Sequence, residues 1–178
     1  GSGAIRYRKF ERESVVDIAL DFMRNKMHLA QTQRKVPLSP PDDLIHRRYS
    51  QRIVLSPDSA NGDKKDWSAD GFLRLAKALE DSGYAPHFVV APQRHEEWQQ
   101  RVGEHYPLPR FDDIGALAAF IYESGALIAN DSGNGHLASF LGIPVVTIYR
   151  KNNQTFHWRP DWAPAQVVGP WLTLHWRG

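Results

Sequence analysis

Short apolar runs alternate along this chain with longer stretches in which apolar residues return every three or four positions. Over residues 11–31, Val15, Ile18, Ala19, Phe22 and Met23 recur at helical spacing. Ser14, with Asp17 three residues on, predicts a capped start to that helix. Pro37, Pro40 and Pro41 then interrupt a polar stretch that reads as a linker.

From Arg52 the rhythm changes. Ile53-Val54-Leu55 predicts a first strand, residues 57–67 a polar loop, and Ser68 the start of a helix. That helix faces inward with Phe72, Leu75, Ala76 and Leu79 and stops at Gly83. Phe88-Val89-Val90 predicts a second strand, His95 to Val102 a helix, and Leu108 to Phe111 a third strand. Asp112 to Ser124 reads as a helix with Ile114, Leu117, Ala118 and Ile121 inward, closed by Gly125. Ala126 to Ala129 predicts the fourth strand and Gly135 to Leu141 a short helix stopped by Gly142. Pro144 to Tyr149 predicts the fifth strand and Gln166-Val167-Val168 a sixth.

Short strands that are apolar on both faces, with helices between them, belong in a parallel sheet covered on both sides. Right-handed crossovers then favour an α/β, Rossmann-like, doubly wound sheet. The chain divides accordingly into Gly1-Ser2-Gly3 (a cloning scar), a helical and linker segment over 4–51, and the sheet domain over 52–178.

Composition narrows the class. With 178 residues, 42% hydrophobic and 24% charged, the chain is neither disordered, collagenous nor a coiled coil. No apolar run approaches the roughly 20 residues that span a bilayer. The absence of cysteine excludes disulfide scaffolds, thiolate metal sites and cysteine nucleophiles. No secretory leader is visible, so a cytoplasmic setting is expected. Net charge is +2, which is no nucleic-acid signature, but it is uneven: +5 over residues 1–53 and −3 over the remainder. The basic front end reads as a solvated helix face or as a patch for a membrane surface or an acidic partner.

In a doubly wound sheet, ligands bind outside the carboxyl ends of the strands where strand order reverses, here between the first and fourth predicted strands. The loops to examine are 56–67 and 130–136. The second reads Asn130-Asp131-Ser132-Gly133-Asn134-Gly135-His136 and opens a helix. Its glycines let backbone approach a ligand, and the free N–H groups of a helix start favour an anion. Asp131 suits sugar hydroxyls; Ser132 and His136 can donate to phosphate or sugar oxygens. A tight strand-to-helix turn with a polar cap is the plain alternative. Gly133-x-Gly135-x-x-Ala138 also fits a dinucleotide fingerprint, but it does not follow the first strand, and the next strand closes with Tyr149-Arg150 instead of an acid.

The first loop, Ser56-Pro57-Asp58-Ser59-Ala60-Asn61-Gly62-Asp63-Lys64-Lys65-Asp66-Trp67, offers hydroxyl and amide donors and two ammonium groups. An ammonium beside a helix N-terminus suits a diphosphate. The loop lacks Walker A spacing. The eight histidines show no His-x-x-x-His spacing, and no Gly-x-Ser-x-Gly elbow is present.

Asp131-Ser132-Gly133-x-x-His136-Leu137-Ala138, followed by Leu141-Gly142-x-Pro144, resembles the hallmark of glycosyltransferase family 9, the heptosyltransferases of the lipopolysaccharide inner core. Lys65-x-Trp67 before a helix resembles that family's Lys-x-Trp segment. The resemblance covers residues 52–170 and implies the C-terminal, donor-binding half of a GT-B enzyme. It implies that Lys65, with Lys64 as its substitute, contacts the donor diphosphate beside Ser59 and Asn61. It implies that Asp131 holds the donor sugar, and that Ser132, Gly133, Gly135 and the following amides cradle phosphate next to His136. Glu96 would bind the ribose and Phe111 flank the base. Where the family often carries a Gly-Pro-Thr loop, this chain has Arg150-Lys151-Asn152-Asn153.

The implied reaction is an inverting, metal-independent transfer from a nucleotide sugar, ADP-heptose, to a lipid-linked saccharide, with no cofactor. It would run in the cytoplasm, with peripheral contact at the inner face of the bacterial inner membrane. The family's catalytic base belongs to an N-terminal domain, so residues 4–51 read as an interdomain segment and the chain is expected to bind donor without transferring sugar alone. A nucleotide-sugar-binding module without transfer, or another nucleotide-sugar enzyme such as an epimerase, are the competing readings. Trp158, Trp162, Trp171 and Trp176 are expected to cover the sheet or the front helix.

Overall fold

The computed structural model describes residues 13–34, 38–59, 66–150 and 158–169. Its elements in chain order are α1 (Val15–Asn25), β1 (Tyr49–Ser56), α2 (Ala69–Asp81), β2 (Ala85–Phe88), a 3-10 turn (Pro92–Arg94) and α3 (His95–Val102). There follow α4 (Ile114–Tyr122), β3 (Ser124–Asn130), α5 (Gly133–Phe140), β4 (Val145–Ile148) and β5 (Ala165–Val168). The strands form one sheet in the order β2-β1-β3-β4-β5, and every pair is parallel. No helix among the described residues is long and apolar enough to cross a membrane.

Alternation along β1 shows how the sheet is covered twice. Val54 faces one core with Leu127, Ala129, Ile121 and Ala138, under α4 and α5. Ile53 and Leu55 face the other with Phe72, Ala76, Phe88 and Trp98, under α2 and α3. Ile53 to Leu55 and Ala126 to Ala129 thus meet apolar layers on both faces, which is why they read as continuous runs. The Rossmann-like doubly wound fold stands.

The helix starts follow from their caps. Ser14 and Asp17 form a reciprocal capping box at α1. The Ser68 side chain takes the Gly71 N–H at α2, and the Asp113 side chain takes the Ala116 N–H at α4.

Several boundaries differ from the sequence reading. The first helix is shorter among the described residues, Val15–Asn25. The first strand starts at Tyr49, so the sheet begins ahead of Arg52. The second strand is Ala85–Phe88; Val89 and Val90 lie past it, although the Val89 N–H still bonds the Leu55 carbonyl at 2.9 Å. No strand forms at Leu108 to Phe111: Pro107 and Pro109 lack the N–H groups a ladder needs, and the contact to β2 is a single bond, from the Phe88 N–H to the Pro107 carbonyl at 2.8 Å. Gly125 does not close a helix but lies inside β3. A Cβ there would fall 1.9 Å from the Ser50 carbonyl oxygen, so the two backbones meet where only glycine fits. Trp162 covers α5 through Phe140, ring centroids 5.4 Å apart; Trp171 and Trp176 lie outside the described residues.

Candidate functional site

β1 leads to β2 on one side, whereas β3, β4 and β5 extend the sheet on the other. Strand order therefore reverses between β1 and β3, whose carboxyl ends are Ser56 and Asn130. The loops that leave these two ends are joined at their stems. Asn130 is fully buried; its Oδ1 accepts the Trp67 backbone N–H at 2.9 Å and its Nδ2 donates to the Pro57 carbonyl at 2.6 Å. Asn134, in the first turn of α5, donates to the buried Ser56 hydroxyl at 3.0 Å. The loop sequence by itself points to a role for neither asparagine. The available signal was an amide closing the apolar run of β3, since a buried amide must find partners.

Outside these ends lies a hollow of about 760 Å³, within the size range of small-molecule sites. Val89, Val90 and Ala91 line it from the β2 side, Phe111 and Leu117 form an apolar wall, and Ser59, Ser132 and Gly133 lie at its polar edge. Phe111 is braced by Phe120, centroids 5.2 Å apart. His95, almost wholly buried, ties the segment bearing Phe111 through its Nε2 and the Leu108 carbonyl at 2.9 Å.

The β2-side edge is held by Asp58. Its Oδ2 accepts the Ala91 N–H at 2.8 Å and its Oδ1 accepts Arg94 Nη1 at 2.8 Å. Arg94 in turn donates to both oxygens of Glu97. Burial lifts the Asp58 carboxyl above its ordinary range, against the Ala91 N–H and the Arg94 charge. Asp66 is likewise raised by burial, although the Ser59 hydroxyl and N–H both bond it.

Ser132 is the N-cap of α5, in extended backbone, yet its side chain makes no cap bond. Its Oγ is enclosed without a partner, and the residue lines the hollow. A Cβ on Gly133 would meet nothing within 4 Å, so backbone is open there to a ligand. Gly135 differs: a Cβ would lie 3.7 Å from Pro160 and 3.9 Å from Val145, which makes it a packing position against the sheet. Asp131 and His136 are half-buried beside this start and outside the hollow's lining. Burial lowers the His136 pKa against the pull of the Asp131 charge, which favours the neutral imidazole. Tyr149 is raised, by burial first and by Asp131 second.

The structure thus brings Ser59, Phe111, Ser132 and Gly133 around one hollow, with Asp131 and His136 alongside. Glu96 is exposed on α3 and does not line it; Asp58, Ala91 and Gln93 occupy that edge instead. Asn61, Lys64 and Lys65 lie outside the described residues, as do Lys151 to His157.

Residues 5–169 match glycosyltransferase family 9 (heptosyltransferase). Similar solved structures include a glycosyl transferase family 9 protein from Veillonella parvula DSM 2008, 26% identical with a TM-score of 0.58, over 85% of this chain and 39% of that one. The E. coli heptosyltransferase WaaC with ADP is 16% identical with a TM-score of 0.66, over 92% of this chain and 52% of that one. WaaC with ADP-2-deoxy-2-fluoro heptose is 18% identical with a TM-score of 0.60, over 83% and 48%. The chain therefore spans roughly half or less of these structures. No curated protein matches it.

Proposed function

The chain belongs to glycosyltransferase family 9 (heptosyltransferase), and from that premise we propose that its 178 residues bind the nucleotide-sugar donor, ADP-heptose, of an inverting, metal-independent transferase of lipopolysaccharide core assembly. The observation that carries this reading is the juxtaposition at the switch point. An apolar-walled hollow large enough for a nucleoside opens beside the start of α5, where Ser132 holds an unpartnered hydroxyl and Gly133 leaves backbone exposed. WaaC, similar in fold, has been solved with ADP and with ADP-2-deoxy-2-fluoro heptose.

In this proposal the nucleoside lies in the hollow against Phe111 and the diphosphate lies over the N–H groups of Gly133 and the residues after it. Lys65 and Lys64 add positive charge, Ser59 and Asn61 line the phosphate site, and Asp131 and His136 meet the sugar. An acceptor hydroxyl, on a lipid-linked saccharide, attacks the anomeric carbon as a base takes its proton. The bond from that carbon to the diphosphate oxygen breaks, and the nucleoside diphosphate leaves with its new charge held by amide dipoles and ammonium groups. Neutral His136 donates one hydrogen bond without adding charge. The base and the acceptor site are assigned to the other half of the whole enzyme, working at the cytoplasmic face of the membrane. The 178 residues are then expected to bind donor and, alone, to leave an acceptor unglycosylated.

Calorimetric titration of the chain with ADP, UDP and GDP tests the reading. The expected result is one site, ADP preferred, with binding weakened about tenfold by Lys65→Ala. Binding of none of the three contradicts it.

A further inference from the structure

Asn130 occupies a position that fixes more than its own strand. Trp67's N–H can only donate and Pro57's carbonyl can only accept, so the two bonds at 2.9 and 2.6 Å leave the buried amide one orientation. Pro57 and Trp67 are the two stems of the first loop. A second tie runs parallel, from Asn134 to Ser56 at 3.0 Å. Ser59 and Asp66 are bonded across the stems themselves. The residues that directly follow Asn130 are Asp131, Ser132 and Gly133, the start of α5. One side chain thereby sets the spacing between the stems of one loop and the anion-favouring end of the next helix.

We propose that Asn130, seconded by the Asn134–Ser56 bond, is a positioning residue for the donor diphosphate. The inference rests on the donor reading above. Asn130 does not line the hollow; its apolar walls come from Val89, Val90, Phe111 and Leu117, and the lining nearest Asn130 is polar, Asp58 and Ser59 after Pro57 and the edge at Ser132. Its loss should therefore separate the two halves of the ligand: the diphosphate contribution falls and the nucleoside contribution stays. An ionised aspartate at this position keeps the acceptor for Trp67 but sets a second oxygen against the Pro57 carbonyl, so only its protonated form could make both bonds.

The test is a pair of titrations on the full 178-residue chain, ADP by calorimetry and adenosine by NMR, for wild type, Asn130→Ala, Asn130→Asp and Ser56→Ala. Both Asn130 variants are expected to lose about tenfold or more in ADP affinity, and Ser56→Ala about threefold, while adenosine affinity stays within about twofold in all. Should Asn130→Ala prove unfolded by circular dichroism, Ser56→Ala decides: a selective loss for ADP supports the proposal, and no loss overturns it. A wild-type chain that binds ADP beside folded variants that bind it equally well overturns this proposal alone. Equal losses for ADP and adenosine also overturn it, because they mark a merely structural residue. A wild-type chain that binds no ADP overturns the donor reading and this inference with it.

Discussion

The rim where β1 and β3 end and the seam where α1 meets residues 159–161 both join segments far apart in sequence, by opposite means. At the rim the ties between the two loops are neutral and wholly or partly buried: Asn130 to Trp67 and Pro57, and Asn134 to Ser56. At the seam they are charged and partly open to water. Asp17 pairs with Arg34 and, at 3.6 Å, with Arg159. Asp161 pairs with Arg34 at 2.8 Å and with Arg159 at 3.1 Å. An enclosed amide allows one geometry and is costly to leave unpaired. An ion pair partly open to water, such as Arg34 with Asp17, allows more geometries and contributes less. Directional bonds thus sit where a ligand needs a fixed spacing, and charges where only attachment is needed.

The largest effect expected from breaking this contrast is at the rim. Asn130→Ala leaves a buried N–H and a buried carbonyl unpaired and should destabilise the chain by about 3 kcal/mol in urea unfolding. That loss should be the same at low salt and at about 1 M salt, because no charge is involved. At the seam, Asp17→Ala removes the capping box and both arginine contacts, for about 1 kcal/mol, and part of that loss should disappear at about 1 M salt. Arg34→Ala should cost about 0.5 kcal/mol at low salt and close to nothing at high salt. A salt-sensitive rim or a salt-insensitive seam would invert the comparison.

A smaller effect separates the two regions by pH. Burial holds His136 below its ordinary 6.5, so the unfolded chain takes up that proton first as pH falls. The stability His136 supplies is complete above 6.5 and declines as pH drops through its folded value. Burial raises the Asp17 carboxyl, but the Ser14 N–H, Arg34, the Ser14 hydroxyl and Arg159 together outweigh it and hold it below 3.8. Its contribution is complete above 3.8 and is lost only in stronger acid. His136→Gln should therefore flatten the stability profile between about pH 7 and 5, where Asp17→Ala leaves the slope unchanged.

Much of the fold was legible because its signals are local. The runs at Ile53-Val54-Leu55 and Ala126 to Ala129 needed apolar residues on both faces, and the caps Ser14 and Ser68 act within three residues of themselves. The helix α5 was legible for the same reason, although it starts at Gly133 and not at Gly135. The Asn130 bonds were not, because their partners lie 63 and 73 positions away. Gly125 looked like a helix stop because the approach of Ser50 leaves no trace in sequence. Leu108 and Phe111 are apolar for the sake of the core and the hollow, not for a strand, and Pro107 and Pro109 are the clue. Glu96 followed the correct strand, but the helical turn carries its side chain to solvent while Asp58, from the other loop, fills that edge.

Amide chemical-shift mapping of the 178-residue chain during an ADP titration tests the central claim most directly. The account predicts saturable shifts at Ser59, Val89 to Ala91, Phe111 and Ser132 to Asn134, and none at Asp17, Arg34 or Asp161. An ADP titration that leaves Ser132 to Asn134 unmoved, or that shifts the seam in place of the rim, would contradict it.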